Sequence, residues 1–355
     1  MGTDREYSVG ILADDLTSAA DGAAPFVARG QRATIGRRQI PLVDNPVVAV
    51  DSGSRSVSAS EAAARVASLT AELAMRDIFY KTVDSTLRGN VSVELEASFK
   101  ASGRKMLVFA PAFPAAGRTT VQGVQLVDGV PVSETVYGHD PVHPARHSRL
   151  IDLVPSSIGS VVILDAAVQE ELDAQVEALP EQESILWVGS PGMAAALAKR
   201  LAPAGKRFDS AAEASGDVLV AIGSANPRSH RQADRIAQEP GVTLLRAPLA
   251  HHDDPASVVR QITQDAAERL RGGGFGMVIA TGGDTMEAIL DRLAIQAFEI
   301  LQEIEPGFPL GRVALDDGRD LLIAMKAGGF GDDDALSRAI SQLRQIPTVS
   351  EKVLP

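Results

Sequence analysis

The feature that most constrains the fold of this chain is one local pattern repeated along its length: a short apolar run, a polar or glycine-rich turn, then a segment with helical spacing. Each copy is the opening of a βα unit, and a chain that repeats it builds a parallel sheet covered by helices. Residues 7–13 read as a strand that meets Asp14-Asp15-Leu16-Thr17-Ser18 and then the Ala-rich helical segment 19–29. Residues 32–35 and 46–50 are the next strands, the second ending in Asp51-Ser52-Gly53-Ser54-Arg55, and a helix over 60–75 follows with Ser60 as its expected N-cap. The run Ile78-Phe79-Tyr80 leads into KTVDSTLRGN (81–90), a helix over 91–100, and a strand over 105–110 that enters PAFPAAGRTT. Strands ending in polar turns at Asp14, Asp51, Lys81 and Pro111 align those turns on one ligand-binding edge of a parallel sheet.

Residues 122–135 have hairpin character, with Asp128-Gly129 suited to a type I′ turn. In the following HDPVHPARH, His139, His143 and His147 are spaced for one face of a helix, but Pro141 and Pro144 break such a helix. An irregular loop is expected there rather than a metal site. A strand over 161–164, a helix over 167–179, a strand over 185–188 and a helix over 193–201 complete this half. Residues 202–217, APAGKRFDSAAEASGD, are small, polar and without periodicity, as befits a linker. The expected division is therefore 1–201, a linker over 202–217, and 218–355.

The second half repeats the strand-to-helix pattern with glycine in the turns. A strand over 218–222 meets Gly223-Ser224-Ala225-Asn226 before a helix over 227–238, and a strand over 277–281 meets Gly282-Gly283-Asp284-Thr285 before a helix over 286–293. A long helix is expected over 255–271. Residues 321–325 form a strand running into Lys326-Ala327-Gly328-Gly329-Phe330-Gly331, with a last helix over 333–345. Glycines at a helix N-terminus let backbone N–H groups approach an anion, which makes Gly223-Ser224 and Gly282–Thr285 phosphate-site candidates. Neither a GxxxxGKS sequence nor a strand-linked GxGxxG occurs, so a P-loop or NAD fingerprint is unsupported.

Composition excludes several classes. A net charge of −12 argues against a nucleic-acid surface, and the absence of cysteine removes disulfides, thiol catalysis and Cys-ligated metals. No apolar run approaches the ~18 residues of a membrane span. The opening MGTDREYS has no apolar signal region and carries Glu6 where a myristoylation pattern needs Ser or Thr, so a cytoplasmic location is expected. A homodimer is the default assembly.

In the first half Asp14, Asp15, Arg55, Lys81, Asp84, Ser85 and Arg88 gather at the strand ends. Carboxylates hold hydroxyls or take their protons, and Arg recognises a carboxylate through its fork, so a small acid bearing hydroxyls fits. The competing reading makes Lys81, Asp84 and Arg88 a structural ion network and Asp51 with Arg55 a surface pair.

The blocks ILADDLTSAAD, VDSGSR, YKTVDSTLRGN, PAFPAAGRTT, IGSANP, ATGGDT and KAGGFGDDD occur in the order seen in the four-carbon acid sugar kinases, which the chain resembles over nearly its whole length. Members of that family phosphorylate threonate, erythronate or their oxo derivatives with ATP. The resemblance implies an α/β protein of two domains with mostly parallel sheets, sugar-acid-binding and nucleotide-binding, and an active site in the interdomain cleft. It implies that Asp14, Asp15, Arg55, Lys81, Asp84, Ser85 and Arg88 line the acid-sugar site, and that Ser224, Gly282–Thr285 and Gly328 hold ATP. Ser18 stands where the family motif has glycine, and the chain is short between its GSAN and GGDT blocks.

The leading expectation is a kinase, a phosphotransferase with an alcohol acceptor, that moves the γ-phosphoryl of ATP to the terminal hydroxyl of a four-carbon sugar acid. Mg²⁺, helix N-termini and Lys or Arg would supply charge neutralisation. Asp15 or Asp84 is favoured as the base, with Asp284 the rival as base or as a Mg²⁺ holder through water. The alternatives are a non-catalytic acid- and nucleotide-binding regulator, or an NAD-dependent oxidoreductase.

Overall fold

The computed structural model describes residues 7–140, 142–179, 182–202, 216–223, 226–248, 255–326 and 328–345. The chain divides into two compact units, Met1–Phe208 and Asp209–Pro355. Of the expected linker 202–217, only Ala202, Gly216 and Asp217 lie within the described residues.

Unit 1 contains β1 (Val9–Ala13), α1 (Leu16–Val27), β2 (Ala33–Arg37), β3 (Val47–Asp51), α2 (Ala59–Leu73), β4 (Ile78–Thr82), α3 (Val91–Ser102) and β5 (Met106–Ala110). It continues through β6 (Arg118–Val121), β7 (Val124–Val127), β8 (Val130–Pro131), β9 (Val161–Ile163), α4 (Gln169–Ala178), β10 (Ile185–Gly189) and α5 (Pro191–Leu201). Within this unit the strands run β2-β3-β1-β4-β10-β5-β9, all parallel. Every residue of β1, β3, β4 and β10 is buried, as expected for strands covered on both faces. Helix α1 lies on the face of Ile11 and Tyr80, which a Cβ on Gly22 would meet. The end of α2 lies on the other face, where a Cβ on Gly10 would meet the Leu73 carbonyl at 2.6 Å. Successive strand residues point to opposite faces, so Gly10 and Ile11 define the two helical layers.

The chain leaves β1 through α1 toward β2, and leaves β4 through α3 toward β5. The space between the ends of β1 and β4 is thus a topological switch point, the place where open α/β sheets bind ligands. Most expected elements are present with shifted ends, but β6 forms at Arg118–Val121, where a loop was expected through residue 120. Ser58, not Ser60, caps α2, its hydroxyl accepting the Glu61 N–H at 3.3 Å. The hairpin near Asp128 is larger than expected, an antiparallel β6-β7-β8 sheet. Two tight turns shape it, at Gln122-Gly123 (φ 51° and 71°) and Asp128-Gly129 (φ 50° and 82°), each positive at both positions as a type I′ turn requires.

Unit 2 contains β11 (Asp217–Ile222), α6 (Pro227–Ile236), β12 (Val242–Arg246), α7 (Pro255–Gly272), β13 (Phe275–Thr281), α8 (Gly283–Arg292), β14 (Ala297–Glu305), β15 (Phe308–Ala314), β16 (Asp320–Lys326) and α9 (Ala335–Arg344). Its strands run β12-β11-β13-β16-β15-β14. The first four are parallel, while β15 and β14 pair antiparallel. This antiparallel pair was not anticipated, because 297–314 lacks the turn-then-helix signature. The switch point here lies between β11, whose chain leaves toward β12, and β13, whose chain leaves toward β14. The core joins Val218, Val220, Ile222, Ile279 and Leu322 of the sheet to Ile236 of α6 and Leu336, Ile340 and Leu343 of α9.

Candidate functional site

In unit 1 the register brings the strand ends level. Ala13 lies beside Asp51, Thr82 beside Gly189, and Gly189 beside Ala110. The turns that follow therefore emerge together, and their side chains join in one network. Asp14 is gripped in a bidentate fork by Arg55, Nε to Oδ2 at 2.7 Å and Nη2 to Oδ1 at 2.9 Å. Arg55 Nη1 pairs with Asp15, and Nη2 also donates to the Ser18 hydroxyl at 3.2 Å. Ser18 thus adds a polar contact where the family motif has glycine. Asp15 is the N-cap of α1, its Oδ1 accepting the Ser18 N–H at 2.7 Å. Asp51 and Arg55 are not a surface pair, since Asp51 is buried and accepts the Gly53 N–H at 2.7 Å.

The stretch 81–90 splits into a buried part and an accessible part. Lys81 is fully buried; its ammonium lies 2.8 Å from Glu94 of α3 and donates to the Thr82 carbonyl at 2.7 Å. Glu94 in turn accepts from Ser54 at 2.7 Å, and Ser52, 2.8 Å from Ser54, donates to the Ala13 carbonyl at 2.6 Å. Lys81 therefore braces the strand ends from beneath. Asp84 accepts from Thr86 N–H and Oγ1 at 3.1 and 2.9 Å and from Arg88 Nε at 2.5 Å. Its side chain is 10% exposed and that of Arg88 30%. Asp14 is 5% exposed against 22% for Asp15, so Asp15 and Arg88 are the charged groups of this set that a solute reaches most readily. Ser85 is half-buried, and its carbonyl accepts from Gln125 at 2.8 Å.

Electrostatics separate the two candidate bases. Burial pushes the Asp84 carboxyl up, but Arg88, Arg55 and the Thr86 N–H outweigh it and hold it at about 2. Burial raises the Asp15 carboxyl, opposed by Arg55 and reinforced by Asp14, and the upward direction prevails. A carboxylate held near 2 is a weak proton acceptor at neutral pH.

Several partners were missed. Glu94 sits on the buried stripe of α3 with Val91, Leu95 and Ser98, and an acid on that stripe was the available signal. Gln125, wholly buried, ties the Ser85 and Pro111 carbonyls and so joins the turns after β4 and β5. The Arg88 guanidinium lies 5.4 Å from the Tyr137 ring centroid and reaches Asp140 at 3.5 Å. Adjoining Arg55 is a cleft of about 640 Å³ lined by Gly89, Asn90, His143, Arg146 and His147. Residues 142–147 are irregular, as the prolines required.

In unit 2 the strand ends are again level, Ile222 beside Thr281 and Thr281 beside Lys326. Ser224 lies outside the described residues. Gly223 packs so closely on the next turn that a Cβ there would meet Thr285 Oγ1 at 2.2 Å. Gly282 caps α8 with φ 93°, a left-handed value that favours glycine, and its N–H donates to the Lys326 carbonyl at 2.8 Å. Helix α8 begins at Gly283, earlier than expected, which puts Gly283, exposed Asp284 and buried Thr285 in its first turn. The Gly328 carbonyl accepts from Ser229 at 2.6 Å. The Thr281 hydroxyl is buried beside these turns without a hydrogen-bond partner. Half-buried glycine turns at a helix N-terminus and an unsatisfied hydroxyl beside them fit a phosphate-bearing ligand. Among the described residues no group of three or more His, Asp or Glu is arranged to hold a metal ion, and no helix is long and apolar enough to cross a membrane.

Comparison with known proteins finds two domain models in sequence order, the second beginning inside unit 1. A sugar-binding N-terminal domain model matches residues 9–160 and a nucleotide-binding C-terminal domain model residues 173–336. A D-threonate kinase of Bordetella bronchiseptica is 31% identical, covering 95% of this chain and 98% of its own. A 3-oxo-tetronate kinase of Pectobacterium atrosepticum is 27% identical over 93% and 98%. A solved structure from Salmonella typhimurium LT2, described as a putative tRNA synthase, shares the fold with a TM-score of 0.78 at 22% identity, over 94% of this chain and 99% of that one. Full-length identity of 31% and two domain models in sequence order place the chain in the four-carbon acid sugar kinase family.

Proposed function

We propose that the protein transfers the γ-phosphoryl group of ATP to the terminal hydroxyl of a four-carbon sugar acid of the threonate, erythronate or oxo-tetronate type. The observation that carries this reading is the network at the β1/β4 switch point, where Asp14, Asp15 and Arg55 interlock beside Asp84 and Arg88. Unit 1 is the acceptor side and unit 2 the donor side. Arg88, the more exposed of the two arginines, receives the substrate carboxylate with the Tyr137 ring behind it. Asp14 is neutralised and fixed by Arg55, and it aims the guanidinium rather than meeting the substrate itself.

Asp15 takes the hydroxyl proton as the oxygen–phosphorus bond forms and ADP departs, since burial raises its carboxyl while Arg55 keeps it in place. Asp84 orients Arg88. On the donor side the turns carrying Gly282, Gly283, Thr285 and Gly328 hold ATP, with Ser224 as a further proposed contact. ATP supplies the activated phosphoryl group, and Mg²⁺ would accompany its phosphates with Asp284 as the carboxylate nearest to hand.

The test is ADP release from the purified protein with ATP and each of D-threonate, L-threonate, D-erythronate and the 3-oxo-tetronates. Acid-dependent release with at least one is expected. No release above the ATP-only background with any of them would overturn the reading and leave a binding or regulatory role.

A further inference from the structure

Lys326, the last residue of β16, touches both glycine-rich turns of the donor side from a position 1% exposed to solvent. Its carbonyl accepts the Gly282 N–H at 2.8 Å, and its ammonium donates to the carbonyls of Gly328 at 3.2 Å and Phe330 at 3.0 Å. Helix α6 draws on the same segment from its own side. Ser229 donates to the Gly328 carbonyl at 2.6 Å, Arg228 to the Gly329 carbonyl at 2.9 Å, and Gln232 to the Phe330 and Asp332 carbonyls at 3.1 and 2.6 Å. In a trans peptide unit the C=O and N–H point in opposite directions. With the carbonyls of 328, 329 and 330 drawn toward α6 and Lys326, the N–H groups of 329, 330 and 331 are turned the other way. Successive N–H groups presented in this manner form a concavity that takes an anion. Gly331, at φ 74°, closes the turn where a Cβ would meet Ala335 at 2.6 Å.

We infer that Lys326 is a positioning residue for the nucleotide phosphates: it gathers the carbonyls of the 328–330 segment and anchors Gly282, so that both turns present N–H groups to one anion. The inference rests on the reading of unit 2 as the ATP side. Lys326 acts through the backbone it holds, and its buried positive charge lies directly under that backbone.

The charge is adjustable. Burial pulls the ammonium down to about 8, Arg228 of α6 pushes in the same direction, and Glu305 of β14 opposes them. Glu305 is itself paired with Arg338 of α9 at 2.6 Å, and Arg338 also holds Asp332 of the segment at 2.9 Å. A cation under the turns favours phosphate below its titration and ceases to do so above it. ATP affinity is therefore expected to weaken as pH rises from about 7 to about 9.

The experiment measures ATP binding by calorimetry, and the KM values for ATP and for the accepted acid, across that pH range for wild type, Lys326→Met and Lys326→Arg. Lys326→Met is expected to raise the ATP KM by about tenfold or more, leave the KM for the acid unchanged, hold kcat at saturating ATP within about threefold, and abolish the pH dependence of ATP affinity. Lys326→Arg restores part of the affinity and shows no weakening toward pH 9. If Lys326→Met does not fold, Ser229→Ala combined with Gln232→Leu removes carbonyl anchors without touching the buried charge. That pair is expected to raise the ATP KM several-fold with the pH dependence retained, and an unchanged ATP KM would overturn the inference. An unaltered ATP KM and pH profile in Lys326→Met would overturn it alone, whereas failure of wild type to bind ATP would overturn the donor-side reading and the inference together.

Discussion

The strand ends of unit 1 and those of unit 2 are both level rows at the switch point of a parallel sheet, yet they are made of different materials. In unit 1 the row carries charged side chains that satisfy one another: Asp14 and Asp15 on Arg55, Asp84 on Arg88, Lys81 on Glu94. In unit 2 it carries glycine, and the contacts that shape it run from side chains to backbone carbonyls, as Ser229 and Lys326 show at Gly328. The difference suits the proposed roles of unit 1 as the acid side and unit 2 as the nucleotide side. A small acid with particular hydroxyls is told from its isomers by placed carboxylates and guanidinium forks. A phosphate chain is similar in every nucleotide, and backbone N–H groups suffice for it.

The comparison is most exposed to failure at the buried pair. Lys81→Met leaves the Glu94 carboxylate buried without its cation, at an expected cost of about 3–5 kcal/mol in unit 1. Urea unfolding followed by Trp187 fluorescence measures it, because Trp187 is the sole tryptophan and is buried on β10. Addition of Glu94→Gln should recover more than half, and no recovery would mean that Lys81 does something besides balancing Glu94.

Next in size, Arg55→Lys keeps the charge but loses the fork that grips Asp14, and kcat/KM for the acid is expected to fall by about 100-fold with the ATP KM unchanged. An equal rise in the ATP KM would show that the two sides are not chemically separate.

A smaller effect concerns acid. The folded value of Asp84 lies below its ordinary 3.8, so its pairing stabilises the protein above that pH, and the contribution is lost as pH falls toward about 2. The shift corresponds to about 2 kcal/mol. Asp84→Asn should remove that part of the acid-unfolding limb, and an unchanged limb would mean that Asp84 is not held by Arg88 in solution.

The smallest expected effect tests the glycine side. Gly223→Ala brings a Cβ against Thr285 Oγ1 and should weaken ATP binding by about tenfold through overpacking. Thr285→Ala in the same chain removes the offending hydroxyl. The double variant should then bind no worse than Thr285→Ala alone, a coupling that a double-mutant cycle reads directly.

Much of the fold was legible in the residues because its grammar is local. An apolar run such as VGILA followed by Asp-Asp and an Ala-rich segment specifies strand, turn and helix within a short window, and β1 and α1 formed there. The antiparallel pair β14 and β15 was not legible, since no turn-then-helix signature follows either strand. At the site, the grouping of Asp84 with Arg88 is found in the structure, whereas Arg55 pairs with Asp14 and Asp15 rather than with Asp51. Lys81 was grouped with Asp84 and Arg88, and the structure pairs it with Glu94 across the start of α3.

What the sequence by itself determined is the succession of βα units, the polar character of the first set of turns and the glycine character of the second, together with the family. These follow from local propensity, hydrophobic period and ordered motifs, all of which are read without knowing which segments meet. Tertiary structure alone decided that β10 inserts between β4 and β5, that the ends of β1 and β4 form a switch point, and that Lys326 bonds to two turns at once. Those facts depend on pairing between segments remote in sequence, and a parallel strand has no local mark of the neighbour it will choose. The same pairing separates the buried charges from the accessible ones: Lys81 points beneath the strand ends to Glu94, while Asp15 and Arg88 remain partly exposed.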